Sequence, residues 1–151
     1  MMPLREIATH LAACYPAEGC GLILEDAAGG LRFVPIANIA GSAEALSTSR
    51  RTGRDGYVME PKALLSTLDA AEQAGGRLYA IVHSHPEVGA YFSKEDREMA
   101  LGGGDQPLWP GVRYLVVSVR SGSVDGARFF TWDPEQRDFA EEEVADITSV
   151  F

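Results

Sequence analysis

Residues 81–96 read IVHSHPEVGAYFSKED, and this stretch decides the architecture around it. Extended back to Arg77, its first half is RLYAIVHSH, a run rich in β-formers that predicts a strand. Pro86 has no N–H to give a ladder, so pairing is expected to stop there and leave the two histidines at a sheet edge. Ser93 then stands three positions before Asp96. That is the spacing at which a serine N-cap and an acidic third helical residue satisfy free amides and favour the helix dipole. A helix is expected to start near Ser93 and to end in the glycines at 102–104. The unit is a strand, an enforced break and a helix.

Side chains alternate along a strand, so His83 and His85 share one face and Ser84 points to the other. Their Cβ atoms are expected about 6 to 7 Å apart, close enough for both rings to meet one ion at about 2.0 to 2.1 Å. Each feature alone has an ordinary structural reading: a histidine satisfied by a carbonyl or by solvent, a serine and an aspartate that only cap a helix. The combination points elsewhere. Two imidazoles on one face, a break, and a carboxylate on a first helical turn that can fold back supply three ligands with one position open, the pattern of a catalytic zinc. Asp96 can cap and ligate if one oxygen does each job. Glu87, Glu95 and Glu98 are rivals for the third ligand, and Glu95 and Asp96 lie on different sides of the helix, so both cannot aim inward.

The rest of the chain bounds the answer. With 151 residues, 46% hydrophobic and 23% charged, residues 1–151 are read as one domain with a real core, the last fifteen or so being the uncertain part. A formal net charge of -9 repels phosphate backbones and anionic lipid heads, which argues against nucleic acid and membranes as partners. No apolar run approaches the roughly 20 residues of a spanning helix, and Arg5, Glu6 and His10 interrupt the start in a way unlike a secretory signal. A soluble, cytoplasmic protein is expected. Cys14 and Cys20 are too few for a disulfide framework and suit a reducing compartment.

Leu4, Ile7, Ala8 and Leu11 recur at helical spacing after Pro3 and predict a short amphipathic helix ending before Pro16. CGLILED and LRFVPIAN predict two strands of a hairpin joined through AAGG. Gly41 to Gly56, with Arg50, Arg51 and Arg54, reads as an exposed loop, and YVME as a short strand. Pro61 starts a helix that Gly75 and Gly76 stop, with Leu64, Leu65, Leu68 and Ala71 as its buried stripe. VRYLVVSVR and ARFFTWD are clear strands, and the acidic tail DFAEEEVADI is either an edge strand or a short helix. One hairpin-rich sheet with two main helices gives the class α+β, or mixed α/β.

A zinc hydrolase also needs a group to take and return a proton. YPAEGCGLIL places Glu18 at the mouth of the first strand, where a solvated turn carboxylate is the plainer reading. HSHPEVGAYFSKED fits H-x-H-P, six residues, S-x-x-D without a gap, and EGCG fits an upstream E-x-C-G; together they resemble the JAMM, or MPN-plus, metalloproteases, of the small stand-alone bacterial type. The resemblance spans most of the chain from Glu18 to about Ser121 and includes VPIAN and the helix after YVMEP.

The resemblance implies a cytidine-deaminase-like fold, a mostly antiparallel sheet flanked by helices. It implies His83, His85 and Asp96 as ligands of one Zn²⁺, Glu18 as general acid/base and Ser93 as a donor to the oxyanion. The implied substrate is a peptide or isopeptide bond at the C-terminal tail of a ubiquitin-like or sulfur-carrier protein. Phe92 stands where those relatives often have proline, and EVGAY differs from their usual linker, which bears on substrate preference. Four other readings remain: a metal-free MPN scaffold, a thiol hydrolase using Cys20 with His85, a non-haem iron site that would need His10 as a distant ligand, and the DNA-repair-named branch of the JAMM-like superfamily, against which the acidic balance and EGCG stand.

Overall fold

The computed structural model describes residues 1–42, 53, 56–144 and 147. The chain runs α1 (Leu4–Cys14), β1 (Cys20–Glu25), β2 (Leu31–Ile36), α2 (Pro61–Gln73), β3 (Arg77–Pro86), α3 (Lys94–Leu101), β4 (Arg113–Arg120), β5 (Ser123–Asp133) and β6 (Asp138–Glu143). The strands form one six-stranded sheet in the order β2-β1-β3-β4-β5-β6. Only β3 and β4 run parallel; every other neighbouring pair is antiparallel. Parallel neighbours need a crossover, and the crossover between these two carries α3. Because the chain enters α3 on leaving β3, the start of that helix lies by the carboxyl end of β3.

Alternation divides the side chains between two layers. Ile23, Ala80, Val82, Leu115, Val117 and Ala127 face one way and pack with Ile7 and Leu11 of α1. Leu22, Leu24, Ile81, Tyr114, Val116 and Phe130 face the other way, with Ala71 of α2 and Ala100 of α3 over them. Completely buried leucines and isoleucines such as Leu11, Leu22 and Ile23 each contribute about 1.5 to 3 kcal/mol relative to exposure. The helices stop where expected: α2 ends two residues before Gly75, and α3 ends at Gly102, a left-handed residue with φ 59°.

Some expectations change. YVME is not a strand; Met59 forms an isolated bridge with Asn38, and Glu60 already caps α2 through Lys62 N and Ala63 N. Leu65 is 61% exposed: Leu64, Leu68 and Ala71 follow one helical stripe, and a residue adjacent to Leu64 points about 100° away from it. The acidic tail opens as the edge strand β6. Pro86 still has a register partner, Val119, and the strand ends there. Arg50, Arg51 and Arg54 lie outside the described residues.

Candidate metal centre

The register of β1 against β3 brings the sequence candidates together. Cys20 stands opposite His83, and the ladder continues beyond the strand: Ser84 N donates to Gly19 O at 3.0 Å and Gly19 N donates to Ser84 Oγ at 2.8 Å. Two residues upstream of Cys20, Glu18 therefore falls opposite His85 and on the same face. The packing at Gly19 is close: a Cβ there would sit 2.8 Å from Leu11 Cδ2 and 2.9 Å from Cys14 Sγ, and those side chains would have to move. Asn38 fixes the same segment: its Nδ2 donates to Glu18 O at 2.8 Å, and its Oδ1 accepts from Val58 N at 3.0 Å. Glu18 is 6% exposed. It is a buried carboxylate, not a solvated turn residue.

At the head of α3 the capping box forms as the spacing predicts, with Asp96 N donating to Ser93 Oγ at 3.0 Å and Ser93 N to Asp96 Oδ2 at 3.1 Å. The same Oδ2 lies 3.2 Å from His83 Nε2 and 3.1 Å from His85 Nε2, and the two ring nitrogens are 3.2 Å apart. One oxygen thus does both jobs that the sequence reading divided between two, which its two lone pairs allow. Ligand atoms placed tetrahedrally around an ion at 2.0 to 2.1 Å stand about 3.3 Å from one another. The Nε2, Nε2, Oδ2 triangle has nearly those edges. Glu18 completes the ring of donors, its carboxylate and the two imidazoles offering atoms within 4.8 Å of one another. The cluster has the chemistry and the spacing to hold a metal ion.

Burial works against the Asp96 charge, but the hydrogen bonds and charges of His83 and His85 outweigh it and hold the carboxyl far below the usual carboxylate range. Burial would likewise lower the His85 pKa, yet Asp96 raises it on balance. His85 Nδ1 donates to Gly89 O at 3.1 Å, so Nε2 is the nitrogen turned to the cluster. Tyr57 stacks on His83 with ring centroids 4.5 Å apart, and Tyr91 meets His85 edge-on at 5.0 Å. Tyr57, Asn38, the Ser84 hydroxyl and the Gly89 carbonyl were not legible as site residues, because nothing in their local pattern separates them from ordinary core and loop positions.

The rival ligands fall away. Glu95 and Glu98 are exposed. Glu87 turns back instead, its Oε1 accepting from Tyr15 Oη at 2.5 Å and Ser121 N at 2.6 Å. Cys20 Sγ donates to Ile36 O at 3.3 Å, and burial pushes its pKa up to about 12, the reverse of what a thiolate nucleophile needs. His10 sits on α1, over the opposite layer, with Nε2 3.7 Å from Cys14 Sγ.

A β-strand ending in two imidazoles, closed by a helix cap that returns a carboxylate, defines a JAB-type domain. Residues 3–133 match the family described as prokaryotic homologs of the JAB domain, and the chain belongs to that family. It is similar to a desampylase from Haloferax volcanii, 33% identical over 105 residues, covering 68% of this chain and 63% of that relative. The match therefore spans less than two thirds of the relative's length. Two solution structures share the fold. One, from Salinibacter ruber, is 27% identical with a TM-score of 0.58, over 95% of this chain and 88% of that one. The other, from Desulfitobacterium hafniense, is 22% identical with a TM-score of 0.66, over 93% and 85%.

Proposed function

We propose that this protein is a zinc-dependent peptidase or isopeptidase that cuts at the C-terminal tail of a ubiquitin-like or sulfur-carrier protein. The observation that carries the reading is the triangle of His83 Nε2, His85 Nε2 and Asp96 Oδ2, with edges of 3.1 to 3.2 Å and the Glu18 carboxylate beside it. His83, His85 and Asp96 would hold one Zn²⁺, and Glu18 is the general acid/base. When bound, zinc supplies Lewis acidity toward the scissile carbonyl and an activated water at neutral pH. Glu18, buried on the same face, takes the proton from the attacking water and returns it to the leaving nitrogen. Ser93 uses a lone pair to cap α3, which leaves its O–H to donate to the oxygen where negative charge develops.

The substrate class rests on the similarity to a desampylase. Free thiols at Cys14 and Cys20 accord with work in a reducing, cytoplasmic setting. No helix among the described residues is long and apolar enough to cross a membrane. A metal-free scaffold is the other reading; Glu18, His83, His85, Ser93 and Asp96 are all present, which speaks against it.

The test incubates purified protein with a ubiquitin-like carrier bearing a C-terminal extension, and follows release of the extension. Glu18→Gln is expected to lower kcat by roughly 10²- to 10⁴-fold while the metal stays bound. Chelator is expected to stop the reaction and a thiol alkylator to leave it running. Equal cleavage by the variant would remove Glu18 from its role, and protein purified without bound metal and without activity would restore the scaffold reading.

A further inference from the structure

The loop that follows Pro86 has to do something demanding, because Gly89 O receives the proton-bearing Nδ1 of His85 and so decides which nitrogen faces the cluster. Gly89 has no side chain, and a Cβ built on it would meet nothing within 4 Å. Its carbonyl also accepts from Tyr91 N at 3.0 Å, and the residues before it are tied to the neighbouring strand. Three consecutive carbonyls of the loop are each claimed by a donor: Glu87 O by Arg120 Nη1 at 3.0 Å, Val88 O by Ser118 Oγ at 2.5 Å, and Gly89 O by His85 Nδ1. Arg120 is exposed, whereas Ser118 is 1% exposed and stands in register with His85 across the parallel β3 and β4 pair. Fixing the Val88 carbonyl fixes the peptide plane from which Gly89 departs.

We propose that Ser118 is a positioning residue for the metal centre: through the Val88–Gly89 peptide its hydroxyl sets the tautomer and aim of His85. This rests on the metal reading given above for the use of His85, but the tautomer itself does not. A buried serine that merely satisfied a nearby carbonyl would be replaceable by any residue that fits. A positioning serine has to keep its donor. Threonine keeps it and suits a strand, and Ser118 and its β5 partner Gly126 border the same cavity.

The experiment compares full-length wild type, Ser118→Ala and Ser118→Thr. Long-range ¹H–¹⁵N correlations of the His85 ring, recorded on metal-free protein in alkaline buffer, report the tautomer without reference to metal or catalysis. The expected result is the same Nδ1–H fraction in wild type and Ser118→Thr, and a clearly smaller one in Ser118→Ala, where Asp96 Oδ2 beside Nε2 draws the proton to the other nitrogen. Cobalt(II) titration adds a second readout: Ser118→Ala is expected to bind the ion about 10-fold more weakly, with an altered visible spectrum, while Ser118→Thr stays within about two-fold of wild type. Thermal melts establish that all three are folded. A wild-type tautomer preserved in Ser118→Ala, or a threonine variant as impaired as the alanine variant, overturns the proposal. Wild type that shows the Nδ1–H form yet binds no cobalt would overturn the zinc peptidase reading and leave the Ser118 assignment standing.

Discussion

The two layers of the sheet are built from the same strands and solve different problems. Under α1 the layer is apolar up to Ser84 near the end of β3: Ile23, Ala80, Val82, Leu115 and Val117 are fully buried against Ile7 and Leu11. Under α2 and α3 the layer starts the same way, with Leu22, Ile81 and Val116, and then turns polar at the carboxyl end of β3. There, His83, His85, Asp96 and Glu18 are 0%, 5%, 4% and 6% exposed, the kind of burial that unpartnered charges do not survive. One layer holds the fold, and the other tolerates the cost of buried polar groups. Substitutions on the two sides should therefore fail differently.

The sharpest contrast comes from Asp96→Asn, which keeps the size and the capping oxygen but removes the charge. Its metal affinity is expected to fall by more than the roughly 100-fold that loss of an outer hydrogen-bond partner can cost, with turnover lost alongside, by competition with a colorimetric chelator. Leu115→Ala on the α1 side is expected to destabilise by about 2 to 5 kcal/mol in denaturant titration, with kcat per folded molecule unchanged. If Leu115→Ala lowered kcat as well, the separation of the two layers would be broken. Ser93→Ala joins the two kinds of effect, costing about 0.5 to 2 kcal/mol as a lost cap. It should also lose roughly 10²- to 10³-fold in kcat as a lost oxyanion donor. Ser93→Gly, which costs a cap only a few tenths of a kcal/mol, should show the kcat loss nearly alone.

The smallest effect is on pH. In metal-free protein the folded Asp96 pKa lies below its unfolded value near 4, so its contribution to stability is present above that value and fades as pH falls. The folded His85 pKa lies above its unfolded value near 6.5, so its contribution is complete below that value and is lost as pH rises through the folded pKa. Melting temperatures of metal-free protein should thus peak between about pH 4 and 6.5. Bound metal displaces the histidine protons and should abolish the alkaline decline. A flat profile without metal would count against the coupling of Asp96 to the imidazoles.

Much of this molecule was legible because its signals are local. Pro61 and the Gly75–Gly76 pair bracket α2, Ser93 and Asp96 announce α3, and the alternation in RLYAIVHSH sets both imidazoles on one side. The errors share a cause as well. YVME has strand composition, but whether it pairs depends on what lies beside it, and only Met59 meets a partner. Leu65 is apolar and next to a buried position, which composition cannot separate from the stripe itself. Glu18 looked like a turn carboxylate because its burial is made by residues 20 and more positions away: Asn38 on the carbonyl, and Ser84 on the next peptide. Likewise the sharing of Asp96 Oδ2 between cap and histidines is a matter of tenths of an ångström, which spacing in a sequence does not encode.

The antiparallel ladder that carries Gly19 past the formal end of β1 makes the separation of Glu18 from Cys20 a question of parity. Two steps return a side chain to the side it left; one or three do not. A single residue inserted or deleted between them would send the carboxylate toward α1 while every strand kept its partners. The E-x-C element is thus a counting rule imposed by pleating, with the thiol serving only to mark the origin from which the acid is counted.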